Sequence, residues 1–329
     1  MIEILTPGAL ATVQDLGRRG ALGWGVGVSG AMDGMALAAG NILLGNEEGA
    51  AAVEIPVFPF RLRFEVAAGF AVTGAHVALS LNERRLLPWW TARAGAGDVL
   101  EIGPPEAASW RASRAYLCVA GGLGVAAVLG SRSTQLRGAF GGHDGRPLRQ
   151  GDRLPLGTPP AGAVHADCGL VPPALALPLE ADGIPAIRAL PAAEHDRFTE
   201  AAVEAFWNEP WKVTPQSDRY GFRLAGPTLA PRAPMELRSH GIVPGVVQVP
   251  HGGQPIVQMR DAQPSGGYPK IATVIEADLW RLGQAPIGSR IRFLRTNWEA
   301  AVEALDQTRD WLAEARRLVE LRRMQERAA

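Results

Sequence analysis

Val247-Gln248-Val249-Pro250-His251-Gly252-Gly253-Gln254-Pro255-Ile256-Val257, followed by Asp261-Ala262-Gln263-Pro264-Ser265-Gly266-Gly267-Tyr268-Pro269-Lys270-Ile271-Ala272, sets the grammar of the chain. Short apolar runs, too brief for helices, alternate with glycine, proline and uncharged amides, which is how β-strands joined by tight turns are written. The same pattern recurs on both sides: 39 glycines and 26 prolines are spread through 329 residues. Arg61–Val66, Phe70–Thr73, Val77–Leu81, Val99–Ile102 and Ala115–Val119 read as strands, with Asn82-Glu83 as a hairpin turn. The fold class is therefore mainly β with a few helices.

The helical exceptions stand out. Asp33 is placed to cap a helix through Leu44, stopped by Gly45-Asn46. Ala193–Asn208 has helical spacing, with Phe198, Ala202, Ala205 and Phe206 on one face and Pro210 as its stop. Asn297–Arg327 lacks glycine and proline. It reads as a long C-terminal helix capped by Asn297, its apolar stripe Trp298, Val302, Leu305, Leu312, Val319 and Met324. The chain divides into an N-terminal β subdomain (1–160), a Pro/Ala-rich crossing (161–191), a second β subdomain (192–295) and the helix (296–329).

Composition excludes several classes. Basic and acidic residues number 33 each, so the formal net charge is zero. That charge gives no reason to expect nucleic acid or an anionic membrane as a partner. Cys118 and Cys168 are the only cysteines, too few for a disulfide scaffold or a cysteine-based zinc site. The histidines are His76, His143, His165, His195, His240 and His251; none makes an HxH or HExxH pair, so no metal site is expected. The N-terminal residues lack a basic and apolar leader, and no run of about 20 apolar residues occurs, which predicts a cytoplasmic protein without a membrane span.

Several amides and charged groups lie close together in the opening stretch. Gln248, Gln254, Gln258 and Gln263 recur beside Asp261, Tyr268 and Lys270, which is one of two lysines in the chain. Primary amides both donate and accept, so this region suits a ureide, lactam or carboxylate ligand. Lys270 stands behind Gly266-Gly267-Tyr268-Pro269, a stiff turn that can aim its ammonium at a carbonyl or carboxylate oxygen. Ser217-Asp218-Arg219 reads either as an anion clamp or as a turn with a local ion pair; Gln14, Asp15, Arg18 and Arg132 carry the same two readings. Ser29 lacks the second spaced glycine of a nucleophile elbow.

Four motifs together resemble one family. They are Thr6-Pro7-Gly8 with Thr12–Arg18; Gly25–Asp33 with Asn41 and Gly45-Asn46; Ala120-Gly121-Gly122 with Leu129–Thr134; and Pro215–Gly221 running on to Gly266-Gly267-Tyr268-Pro269-Lys270. The chain resembles the biotin-dependent carboxyltransferase family, subdomains A and B, over about residues 2–295. This family includes allophanate hydrolase subunit 2-like proteins, KipA and the C-type subunit of 5-oxoprolinase. Departures from its pattern fall at Arg19, Gly27-Val28, His240, His251 and Pro264-Ser265, and bear on substrate more than on fold.

The resemblance implies cyclophilin-like β-barrel subdomains and a companion chain of the KipI or 5-oxoprolinase B type. It further implies work as a subunit of an amide-chemistry enzyme, foremost ATP-dependent 5-oxoprolinase with an A-type ATPase chain, on a small lactam or ureide. Carboxyl transfer from carboxybiotin to a urea-like acceptor is the enzymatic alternative, and KipA-like sequestration of a kinase inhibitor the non-enzymatic one. Under the first reading Lys270, Asp261 and Tyr268 are the catalytic candidates. Gln14, Asp15, Arg18, Ser29, Arg132, Ser217, Asp218, Arg219, Gln248, Gln254, Gln263, Gly266 and Gly267 are the substrate-binding ones. No Walker loop and no Met-Lys pair are present, so ATP or biotin is expected to arrive through partner subunits.

Overall fold

The computed structural model describes residues 1–106, 112–160, 168–172 and 179–328. The chain forms two compact units. The first comprises Met1–Arg18, Ser29–Leu175 and Arg309–Ala329; the second comprises Arg19–Val28 and Ala176–Thr308.

The strands of the first unit are β1 (Ile2–Thr6), β2 (Thr12–Gln14), β3 (Ala52–Ile55), β4 (Phe60–Phe64), β5 (Ala68–Gly74), β6 (Val77–Leu81), β7 (Arg84–Leu86), β8 (Thr91–Ala94), β9 (Val99–Pro105), β10 (Ala115–Val119) and β11 (Arg153–Leu154). They make two sheets, in the orders β11-β1-β4-β9-β6-β7 and β2-β3-β10-β5-β8. Period-two alternation builds the core. Phe60, Leu62 and Phe64 of β4 are buried while Arg61 and Arg63 face solvent. Ala115, Leu117 and Val119 of β10 join the core that includes those β4 residues. Tyr116 and Cys118 join a second core with helix α1 (Gly34–Leu43). Asn82 and Glu83 sit at φ 47° and 68°, the geometry of a two-residue hairpin turn joining β6 and β7.

Helix α1 starts as its sequence predicts: the Asp33 carboxylate accepts from the Ala36 N–H at 2.9 Å. Gly45 follows its end at φ 68°. The helix lies close on the sheet because residue 40 is glycine; a Cβ there would stand 2.7 Å from Cys118 Sγ.

The strands of the second unit are β12 (Glu180–Ala181), β13 (Ile184–Pro191), β14 (Trp211–Val213), β15 (Gly221–Ala225), β16 (His240–Gly241), β17 (Val246–Gln248), β18 (Ile256–Gln258), β19 (Ser265–Gly266), β20 (Lys270–Val274) and β21 (Arg290–Arg295). In the order β13-β20-β17-β18-β15-β14-β21 they close into a seven-stranded barrel, because β21 pairs in parallel with β13. A barrel leaves no free edges among its strands. β16 and β19 form a separate ribbon, with His240 opposite Gly266. Helix α2 (Glu200–Asn208) brings Phe206 against Phe293 of β21, ring centroids 4.7 Å apart and stacked.

The mainly β class, the barrel and the long C-terminal helix agree with the sequence and its resemblance. Several details differ. Part of the crossing expected at 161–191 is outside the described residues, but Ile184–Pro191 is a barrel strand. Its prolines stand at the second and last positions, where the ladder tolerates them. Arg19–Val28, N-terminal in sequence, belongs to the barrel unit. α2 begins at Glu200, capped by Thr199, so Ala193–Phe198 is not part of it. The C-terminal helix, α3 (Trp298–Ala328), buries alanines more than the expected stripe. Trp298, Val302 and Met324 are 69%, 41% and 64% exposed. Among its residues of described burial, the buried ones are Ala304, in the second unit, and Ala315 and Val319, in the first. Close approach favours small side chains, a preference that a search for bulky apolar residues misses.

Candidate active site

In the barrel unit, β17, β18 and β20 bring three of the expected groups together. Gln248 and Lys270 are directly opposed across β17 and β20. Opposed residues share a face. Gln258, the last residue of β18, is diagonal to Gln248, and its Nε2 donates to Gln248 Oε1 at 3.0 Å. Both amides are almost fully buried. Each keeps one unused atom: Gln248 Nε2 and Gln258 Oε1 have no hydrogen-bond partner among the described residues. Leaving such an atom buried costs about 1–3 kcal/mol. Gly266 of the ribbon lies against the pair; a Cβ there would fall 2.7 Å from Gln248 Nε2.

Lys270 is held between two groups. Its Nζ is 2.9 Å from Glu194 Oε2, and its backbone N–H donates to the same oxygen at 3.0 Å. On the other side Nζ meets His240 Nε2. Burial pushes the Glu194 carboxyl upward, but the bonds from Lys270 and the charges of Lys270 and His240 outweigh it and hold Glu194 below the usual carboxylate range. Glu194 therefore stays ionised beside the ammonium. Sequence reasoning missed Glu194, which is 76 residues from Lys270 and carries no local motif. His240 meets Lys270, while His251 packs edge-on to Tyr268 with centroids 6.2 Å apart.

Other expected groups in this unit have different duties. Arg219 and Asp261 bind each other at two points, both at 3.0 Å and almost wholly buried. The Asp261 carboxylate is thus engaged by Arg219, not turned to a reacting centre. Asp218 does not orient Arg219; it accepts from the backbone N–H groups of Tyr220 and Gly221, closing a turn. Ser217 Oγ bonds the backbone of Arg223. Gln254 bonds both backbone groups of Gly226, and Gln263 meets the Tyr220 hydroxyl. The four glutamines are therefore not one cluster. Tyr268 is 45% exposed. Gly267 passes close to backbone, its Cβ position 2.8 Å from the Leu237 carbonyl oxygen.

The candidates of the first unit form a separate network. Asp15 accepts from Ser131 Oγ and Gly17 N at 2.7 Å, from Arg132 N at 2.6 Å, and from Ser133 Oγ. Arg18 donates to the Ser133 carbonyl and lies over Phe140. The exposed Arg132 donates Nε to the Val125 carbonyl at 2.9 Å. Gln14 donates to Thr12 and to the Thr134 carbonyl. Ser29, at φ 53°, is buried with Oγ unbonded among the described residues. Asp15 thus ties the Ser131–Ser133 loop to the β2 end.

Residues 24–295 match the family described as "Carboxyltransferase domain, subdomain A and B". The chain belongs to that family. This carboxyltransferase-domain chain is 41% identical over 310 residues to the C-type subunit of 5-oxoprolinase from Escherichia coli K12, covering 92% of this chain and 94% of that protein. It is 39% identical over 320 residues to the C-type subunit of 5-oxoprolinase from Haemophilus influenzae, covering 97% and 99%. Among solved structures, the Kluyveromyces lactis urea carboxylase superposes with a TM-score of 0.86 at 30% identity. That match takes in 95% of this chain and 29% of the carboxylase chain. Among the described residues no helix is long and apolar enough to cross a membrane, and no three His, Cys, Asp or Glu side chains gather to hold a metal.

Proposed function

We propose that this chain is the C-type subunit of an ATP-dependent 5-oxoprolinase, and that its barrel unit binds the lactam of 5-oxoproline for opening to glutamate. The observation that carries this reading is the pair of unused buried atoms: one amide donor on Gln248 and one amide acceptor on Gln258. A five-membered lactam is a cis amide, with its C=O and N–H on one edge. Gln248 Nε2 is matched to the lactam oxygen and Gln258 Oε1 to the lactam N–H. Exchanging O and N in both glutamines leaves one donor and one acceptor, so the match does not depend on amide orientation.

In the net reaction water adds to the carbonyl carbon, the C–N bond breaks, and the nitrogen takes a proton. The Lys270 ammonium, opposite Gln248, supplies positive charge to the oxygen as it becomes anionic; such donors are worth about 3–4 kcal/mol in other enzymes. The identity with two 5-oxoprolinase subunits of the C type supports work in a multi-subunit enzyme. The companions under this reading are a KipI-like or B-type chain and an A-type ATPase. ATP or biotin would come with those companions: Lys212 follows Trp211 and Lys270 follows Pro269, neither within a Walker loop nor after methionine.

Omitting each chain in turn from the reconstituted enzyme tests the reading. Release of ADP that depends on 5-oxoproline and needs all three chains supports it; release without this chain refutes it. Similarity to urea carboxylase favours a second reading, carboxyl transfer to a urea-like acceptor. The same amide pair matches the C=O and N–H of urea. Capture of a biotinylated companion, with no oxoproline-dependent ADP release, would select it.

A further inference from the structure

The contacts of His240 decide its proton. Its Nδ1 is 2.9 Å from the carbonyl oxygen of Arg238, which can only accept, so Nδ1 carries hydrogen. Nε2 faces the Lys270 ammonium. A proton on Nε2 as well would set imidazolium against ammonium, so Nε2 of the neutral ring offers its lone pair to a Lys270 N–H. On the far side of Nζ, Glu194 supplies one full negative charge at 2.9 Å. The three side chains are neutral in sum, and one proton lies between two nitrogens.

We propose that Glu194, Lys270 and His240 are a single proton-holding unit in which Lys270 is the acid and His240 the base that shares its proton. The transfer is Lys270–NH3⁺ plus neutral His240 to Lys270–NH2 plus imidazolium; nothing else is consumed. Glu194 is the positioning residue. It fixes Nζ and, through the Lys270 backbone N–H, the start of β20. Resting on the lactam reading, this unit supplies the proton that the ring nitrogen takes as the C–N bond breaks. Lys270 touches the substrate and is left as the amine; the proton set free by the attacking water then returns to the Lys270–His240 pair, whose His240 is paired with Gly266 on the ribbon beside Gln248. Lys270 faces the imidazole directly, and Glu194 stands behind it.

The unit can be tested without substrate. Ring-nitrogen NMR of the isolated full chain, labelled at histidine, reads tautomer and titration point. The expected result is an Nδ1–H tautomer for His240. Lys270→Gln removes a neighbouring cation and moves the His240 titration up; Glu194→Gln removes an anion and moves it down. A general loosening of the fold would not give opposite signs. An Nε2–H tautomer, or a titration that neither variant moves, overturns the proposal. In the assembled enzyme His240→Gln, which accepts a hydrogen bond but does not titrate, should move the acidic limb of the kcat profile to lower pH. An unmoved limb removes His240 from the proton path. If no lactam turnover exists, the NMR result still decides the unit, so the two readings fail separately.

Discussion

Arg219 Nε and Nη2 reach both oxygens of Asp261 at 3.0 Å, and the Asp261 N–H returns to the Arg219 carbonyl at 2.8 Å. Side-chain and backbone bonds thus join the start of the Gln263–Lys270 segment to the turn before β15. Removing one partner of a buried pair strands the other charge, typically at about 3–5 kcal/mol. Asp261→Ala should therefore lower the urea midpoint sharply, and the double variant Arg219→Met/Asp261→Leu should recover much of the loss. Loss of turnover in Asp261→Ala at unchanged stability would return Asp261 to the chemistry.

The two half-used glutamines predict the opposite relation between stability and function. Each buried amide leaves one atom unbonded, at about 1–3 kcal/mol. Gln248→Leu/Gln258→Leu replaces that burden with apolar packing. The double variant should melt at a higher temperature while the assembled enzyme loses oxoproline-dependent ADP release. A lower melting temperature would mean that the amides already have partners and are structural.

This contrast also shows what the sequence makes legible. The strands are readable because their alternation is local: Phe60-Arg61-Leu62-Arg63-Phe64 states its buried and exposed faces directly. Lys270 and Gln248 are readable because rare or repeated polar residues stand out against Gly-Pro turns. Glu194 is not, because its role depends on barrel closure across 76 residues of chain. Asp261, Arg219 and Asp15 mislead as to role because a short sequence window shows a charge but not the partner that neutralises it.

Acid stability should follow Asp152 in the first unit. Its carboxylate takes two bonds from Arg146, at 2.7 and 2.9 Å, and one from the Arg149 N–H at 2.7 Å. The Arg146 bonds lead in pulling its pKa down to about 2, against the opposing effect of burial. An unfolded aspartate titrates near 3.9. Between these values the unfolded chain binds the proton and the folded one does not, so stability present above about pH 4 is lost as pH falls toward 2. Arg146→Gln should flatten that slope in denaturant midpoints measured from pH 5 to 2. An unchanged slope would show that other carboxylates govern acid unfolding.

Cys118 and Cys168 should differ in reactivity by location. Cys118 is fully buried under α1, where desolvation pushes its thiol well above the ordinary range and its Sγ is 3.6 Å from the Leu37 carbonyl oxygen. The thiolate is the reactive form, so alkylation there has to wait for opening of the helix. Cys168 is partly exposed and should be labelled in the native protein, with mass spectrometry finding Cys118 unmodified until denaturant is added. Gly40→Ala makes the test specific: its Cβ would stand 2.7 Å from Cys118 Sγ and 3.0 Å from Thr73 Oγ1. Both neighbours belong to the sheet, so α1 must lift, and Cys118 labelling should accelerate more than tenfold if opening costs fall by about 1.4 kcal/mol or more. Equal labelling of Cys118 in parent and variant would mean that the helix does not gate the thiol.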